Sequence, residues 1–579
     1  MNFTVKKISI RDYYQATDGD NWSPAVSRAL AVAENRRDTV LVFPQGRYDF
    51  YADGCAKGTY YPSNNDGGEK DIVFHLDRCE NLTIDGQGSE FMFHGLISPF
   101  ILHRSVNVTV KNLISDTSQV FYMQATVVAA TETRVELAVD RSVCPFKVEE
   151  PNLIIENDEW RHDTRDVWVT LQEYNTATGG PAPHAPTMVA VIGDSTVCRE
   201  YLPARLADLS ASMTADGHLV LEGNFGYTMT VGNTLIFTHE RRDHSFALVF
   251  ESRDTRFEDV TVYHAQSMGI ACQCAHNVTL AGCRFTVREG SPRVLSINAD
   301  ATHFVNCSGL VHIHDCLMEG MMDDGVNIHG IYTTVSEVAD RRRLTLELGH
   351  YQQFGVNVYF PGDEIVLYDT ETMREVGAGY VESAVLVDAR HIAVTLQEEA
   401  DFPLAVGLTA ENRERMPEVL IENCRMGRNR PRGVLLGTPK KVVVRGCTFY
   451  TSCAAVQIAG GPDGFWYEAG STHDVLVEKN HFHDCCYLGQ GAVVHIMRSG
   501  CPVGAPSVIY HGRIVIRDNV FETFCRRLVD ASLVEELVVE NNRFIQTDTY
   551  DAPSNLPHLL LHRCERVTTD VAEADVVWR

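Results

Sequence analysis

Val419-Leu-Ile-Glu-Asn423-Cys-Arg-Met426 and Val442-Val-Val-Arg-Gly446-Cys-Thr-Phe449 carry one pattern 23 residues apart: a run of β-formers, a turn residue, a Cys and an apolar anchor. Upstream it reads Val278-Thr-Leu-Ala-Gly282-Cys-Arg-Phe285 and Val311-His-Ile-His-Asp315-Cys-Leu-Met318. Downstream it reads Val475-Leu-Val-Glu-Lys-Asn480-His-Phe482, Ile514-Val-Ile-Arg-Asp-Asn519-Val-Phe521 and Leu537-Val-Val-Glu-Asn-Asn542-Arg-Phe544. One alternating strand per repeat, without 3.6-residue periodicity, marks a β-solenoid rather than a helical array. Val278, Val311, Val419 and Val442 are therefore expected to begin neighbouring strands of one parallel sheet. Asn at the turn tolerates the left-handed conformation and its amide can bond to the coils above and below, so a ladder is expected there.

Working outward, Ser23 is expected to cap a short amphipathic helix through Ala25, Leu30 and Ala33, which would plug the open end of the solenoid. Residues 1–115 then hold this cap and the first coils. Two stretches, 116–245 and 331–415, break the coil spacing with hairpin spacing, and each reads as a small antiparallel barrel inserted between coils. Coils resume over 246–330 and 416–579. The fold class is all-β: a right-handed parallel β-helix with two inserted β-barrel domains. Insertions in solenoids tend to gather on one face, often the binding face.

Composition limits the partners. The chain has 77 acidic against 50 basic residues, a formal charge of −27, which would repel a nucleic-acid backbone and disfavours polyanionic substrates. Neutral ligands carry no such penalty. No run approaches the roughly 18 apolar residues of a membrane span. The seventeen cysteines are odd in number and spread through the chain, and they read as buried free thiols. With a start that lacks an apolar signal core, this favours the cytoplasm; a secreted or periplasmic site would require a removed leader. Cys272 and Cys274 have no second pair at zinc-site spacing, so no metal site is expected there.

The chemistry concentrates in Asn298-Ala-Asp300 and Met321-Met-Asp323-Asp324-Gly325-Val-Asn327-Ile-His329-Gly330. Asp300 and Asp323 are 23 residues apart, the short repeat, which places Asp300 one rung from the Asp323–Asp324 pair. Gly325 would allow the bend that turns both members of the pair outward. Carboxylates so crowded cannot all stay ionised, and a protonated carboxyl beside an ionised one is what acid–base hydrolysis requires. An Asp-Asp-Gly alone is also a common turn or a weak calcium site, but no EF-hand-type loop surrounds it.

Coil-spaced Asn-x-Asp and Asp-Asp are similar to the arrangement in β-helical inverting polygalacturonases, the pectin-lyase-like solenoids. The chain departs from them in Ala299, in Asn327-Ile-His329-Gly330 and in lacking an Arg-Ile-Lys segment, which argues against uronate binding. As a set, the motifs more closely resemble glycoside hydrolase family 110, the α-1,3-galactosidases acting on blood-group-B-type and linear α-galactosides. Arg430-Pro-Arg432-Gly433 and Gly464-Phe-Trp466-Tyr-Glu468 belong to that resemblance, which covers nearly the whole chain. It implies an inverting mechanism without metal or organic cofactor, with Asp323 as general acid and Asp300 and Asp324 holding and deprotonating the water. Inversion sets acid and base carboxyls roughly 6.5–9.5 Å apart.

His329, Arg430, Arg432, Trp466 and Glu468 are the candidate sugar-binding residues, with His264 and Gln273 as weaker ones; each also has a plain structural reading. An aromatic face beside a carboxylate suits the apolar side and hydroxyls of galactose. The implied partner is a neutral galactose-terminated glycan, and the long flank of the solenoid leaves room for a homodimer. Two competing readings are a polysaccharide lyase, which needs a uronic acid, and a non-catalytic glycan-binding β-helix, which has no use for three aspartates at coil spacing.

Overall fold

The computed structural model describes residues 5–166, 168–183, 185–193, 207–239, 241–488, 491–502, 504–551 and 555–579. Three faces of parallel strands wind into a right-handed β-helix. On the first face Val278 pairs with Val311, Val311 with Val419, Val419 with Val442 and Val442 with Val475, as the repeat spacing requires. The column continues through Ile514 and Leu537. The second face is made of short strands such as Leu317–Glu319, Arg425–Gly427 and Thr448–Tyr450. The third contains Ile270–Gln273, Thr302–Val305, Val326–Ile331, Val434–Leu436, Val456–Gly460 and Val494–Arg498. Alternate side chains from all three faces fill one continuous apolar core, in which Cys283, Cys316, Cys424 and Cys447 occupy equivalent inward positions after the first turn. The described cysteines are free thiols.

The turn ladder differs in detail from the sequence reading. The left-handed residue is Asp315, Asn423 or Gly446 in the upper coils, but Lys479, Asp518 and Asn541 in the lower ones, one position before the asparagine. Asn480, Asn519 and Asn542 instead point inward where the upper coils have cysteine. There Asn480 N–H donates to Asn519 Oδ1 at 2.9 Å and Asn519 N–H to Asn542 Oδ1 at 3.0 Å. The amides stack because each satisfies a buried backbone donor of its neighbour. At the N-terminal end the helix is Ser23–Ala31, packed through Ala25, Val26, Ala29 and Leu30. Ser23 is its first residue rather than its cap, and its hydroxyl donates to the Tyr51 carbonyl at 2.7 Å.

The first insertion closes a ring of seven strands between Tyr122 and His239, and the second a ring of six between Thr333 and Asn412. The first ring is not wholly antiparallel: Ala190–Ile192 runs parallel to Ala207–Leu209. Gly325 also has a different role from the one expected. Its backbone is not left-handed; a Cβ there would lie 2.7 Å from the Gly433 carbonyl oxygen and 3.2 Å from Met426 Sδ, so the glycine allows adjacent coils to close up. Gly325→Ala should cost roughly 1–3 kcal/mol of stability through overpacking, read as a lowered urea midpoint.

Candidate active site

The corner between the second and third faces carries the site on successive coils. Thr302 pairs with Val326 and Val326 with Val434, so Asp300, Asp324 and Arg432 stand in one column. The offset between the first two coils is 24 rather than 23, which puts Asp324, not Asp323, directly opposite Asp300. Ala301 N–H donates to the Asp324 carbonyl at 2.9 Å and Gly325 N–H to the Arg432 carbonyl at 3.1 Å, fixing the stack. Both aspartates of the pair lie in the corner outside any strand, so strand alternation does not constrain them.

The three carboxyls converge, each offering an oxygen within 4.8 Å of the others. These are the nearest oxygens, which lie closer together than the carboxyl groups whose separation distinguishes inversion from retention. They are not equivalent. Asp323 stands in the cavity with its side chain 16% exposed, its Oδ2 accepting from Arg242 Nη2 at 3.2 Å and lying 3.9 Å from Arg430 Nη2. Burial works to raise its pKa, but the guanidiniums of Arg430, Arg242 and Arg432 outweigh it and hold the carboxyl below its ordinary range. Burial, then the charge of Asp323, pushes Asp300 up to about 8. Asp324 is fully buried and raised well above the ordinary range by that burial, despite Arg432 donating through Nε at 2.8 Å and through its backbone at 3.2 Å. Asp300 and Asp324 therefore hold a proton more readily than Asp323 does, the reverse of the order expected from the resemblance. Asp324 does not line the cavity. It accepts from Arg432, and its backbone N–H donates to Asp300 Oδ1 at 3.0 Å.

The cavity has a volume of about 710 Å³, within the roughly 300–1,000 Å³ of small-molecule sites. Arg430, Arg432, Trp466 and Glu468 line it with Asp300 and Asp323. Glu468 accepts from Asn64 Nδ2 at 3.1 Å and Asn327 Nδ2 at 3.4 Å. Burial opposes its charge, but His329, His303 and Arg432 hold its pKa below the usual value. Trp466 packs against His350 at 4.5 Å between centroids. Both insertions contribute walls: Trp168, Thr170, Thr187 and Val189 from the first, His350 and Tyr351 from the second.

Three expected residues lie elsewhere. His329 is behind the surface, bonded through Nδ1 to the Gly330 carbonyl at 2.6 Å. His264 is buried outside the cavity and accepts the Phe121 N–H at 2.9 Å, tying the first insertion to its coil; burial drives its pKa down to about 3. Gln273 accepts the Ser63 N–H at 2.7 Å and so braces the segment that carries Asn64. Conversely, sequence reasoning missed Arg242 and His303. Arg242 enters from the end of an insertion, with no local motif. His303 had a signal: in Asp300-x-x-His303 it is the first outward position of the strand after the corner. His303, His329 and Glu468 offer ligand atoms close enough to hold a cation, but the two Nε2 atoms are 2.8 Å apart and hydrogen-bonded to each other.

Clustered carboxyls flanked by guanidiniums in a sugar-sized cavity on a parallel β-helix define the class as a β-helical glycoside hydrolase. A family model described as GLAA-B beta-barrel domain II matches residues 343–407, within the second insertion. Alpha-1,3-galactosidase A of Shewanella woodyi is 32% identical over 552 residues, covering 94% of this chain and 87% of that protein. Alpha-1,3-galactosidase B of Bacteroides fragilis is 31% identical over 579 residues, covering 96% and 94%. Alpha-1,3-galactosidase B of Bacteroides thetaiotaomicron is 29% identical, covering 94% and 87%. The chain belongs to this α-1,3-galactosidase family. Among solved structures, the A-module of an Azotobacter vinelandii mannuronan C-5 epimerase is 9% identical with a TM-score of 0.39, covering 97% of this chain and 99% of that one.

Proposed function

We propose that the chain is an exo-acting, inverting α-1,3-galactosidase that releases terminal galactose from neutral glycans of the blood-group-B or linear type. The observation that carries the neutral substrate is the pairing of cations. Arg242, Arg430 and Arg432 all lie within 4 Å of Asp323, so among the described residues the arginines of the cavity already face a carboxylate. A uronate would have to compete for them. Walls from both insertions make a pocket suited to a chain end rather than an open groove.

Asp323 is the most exposed of the three carboxyls, which supports its role as the one that meets the glycosidic oxygen. For it to donate it must take up a proton, which Asp324 can yield because Arg432 then holds the Asp324 carboxylate, while Asp300 keeps its own; the trio titrates as one unit. Sugar hydroxyls that accept from Arg242 and Arg430 loosen the field that keeps Asp323 ionised. Asp323 then protonates the leaving oxygen as water, held at Asp300, attacks the anomeric carbon from the opposite face.

The test is hydrolysis of an α-1,3-galactose-capped oligosaccharide followed by proton NMR before mutarotation. The first product should be β-galactose, and a chelator should leave the rate unchanged. An α-anomeric first product would establish retention and remove this division of labour; activity confined to polygalacturonate would overturn the substrate.

A further inference from the structure

A string of polar contacts leads from Asp300 into the wall of the third face. The Gly330 carbonyl has no proton to give, so His329 Nδ1 donates across their 2.6 Å contact. In a neutral ring His329 Nε2 is then a lone pair; it lies 3.4 Å from Glu468 Oε1, a carboxylate with no proton to give, and 2.8 Å from His303 Nε2, which is therefore the donor. His303 Nδ1 in turn hydrogen-bonds to Asp300 Oδ2. With a neutral His303, the proton in that last contact comes from the Asp300 carboxyl. Each contact holds one proton, and removing any of them would set two lone pairs face to face. Burial points the same way, raising Asp300 to about 8 and lowering His303 to about 4.

An already protonated carboxyl can still act as a base if it takes a proton on one oxygen while releasing one from the other. We propose that His303 receives the proton Asp300 releases as Asp300 accepts one from the attacking water, so that the two residues work as a single base. This rests on the hydrolytic reading above. Asp300 and His303 both line the cavity, and Oδ1 is the oxygen His303 does not engage. In the step the water O–H breaks and its proton goes to Oδ1, while the Oδ2 proton crosses to His303 Nδ1. The water oxygen bonds to the anomeric carbon as the glycosidic C–O bond breaks, and the leaving oxygen takes the proton of Asp323. The proton gained by His303 balances the one lost by Asp323. Glu468 and the newly ionised Asp323 are the neighbouring charges that favour a cationic His303, with Arg242 and Arg432 opposing. His303 acts through Asp300 and is thus a positioning and proton-holding residue.

The experiment is His303→Gln assayed with a nitrophenyl α-galactoside and an α-1,3-linked disaccharide, with and without azide. Both rates should fall together by roughly 10²–10⁴-fold, the usual worth of general base catalysis. Azide needs no deprotonation, so it should restore turnover of the aryl substrate and give β-galactosyl azide by NMR. A loss that azide leaves untouched would mean a structural lesion and would overturn the proposal, as would a loss under tenfold. His329→Gln breaks the string one link further out and supplies the same test if His303→Gln does not fold: a smaller, azide-responsive loss supports the relay and wild-type rates refute it. Wild-type protein inactive on every α-galactoside would instead sink the hydrolytic reading itself.

Discussion

Asp323→Asn should lower kcat on an α-1,3-linked disaccharide by roughly 10²–10⁴-fold, the range of general acid catalysis, and by much less on a nitrophenyl α-galactoside. The reasoning is chemical and geometric together. A sugar alkoxide is a poor leaving group and needs its proton, whereas a nitrophenolate departs with little help. Asp323 is the more exposed of the two aspartates that line the cavity, and Asn preserves its shape while removing the proton. The substitution also leaves Arg242, Arg430 and Arg432 facing a neutral amide. If the acid were Asp300, the carboxyl whose pKa is raised, Asp323→Asn would slow both substrates alike. The ratio of the two losses therefore decides which carboxyl donates.

The repeat made the β-helix legible because a solenoid writes its register into sequence: inward valines recur wherever a strand must stack, and their pairing follows directly. The turn ladder was only half legible. In Asp518-Asn519 and Asn541-Asn542 either residue can adopt the left-handed conformation, and only the demand for an inward partner to a buried N–H selects the first. The aspartate cluster was visible from spacing, but a one-residue difference in coil length moved the partner of Asp300 from Asp323 to Asp324. That single step separates a carboxyl in the cavity from one sealed beneath it. Residues delivered by insertions were the least legible. Arg242 meets Asp323 across 81 positions of chain, and nothing local to either residue encodes that contact. His264 and Gln273 looked like ligands because polar residues near a catalytic coil attract that reading. Each instead satisfies a backbone N–H where an excursion of the chain meets the helix, which is what a buried polar side chain most often does.

Asp300→Asn should lose activity on both substrates alike, by roughly 10²–10⁴-fold, because water must be activated whatever leaves. Unlike most substitutions of buried polar residues, it should also gain stability at alkaline pH. Asp300 has a folded-state pKa of about 8, against about 3.9 in an unfolded chain. A group whose pKa is raised on folding binds its proton more tightly when folded. Its stabilising contribution is complete below about pH 4 and is lost as the pH climbs through the folded value. Wild type therefore forfeits stability between pH 4 and pH 8 that an amide, which does not titrate, retains. The amide also fits the surrounding bonds. Its oxygen can accept the Asp324 N–H as Oδ1 does, and its N–H₂ can donate to His303 Nδ1 as the protonated carboxyl does. A tenfold change in proton affinity is worth about 1.4 kcal/mol, so the variant should exceed wild type by more than about 2 kcal/mol at pH 8 and by little at pH 4. Urea titrations at the two pH values measure this. Equal midpoints for variant and wild type at pH 8 would show that Asp300 is ionised in the resting enzyme, and the proton would then have to sit on His303 from the start.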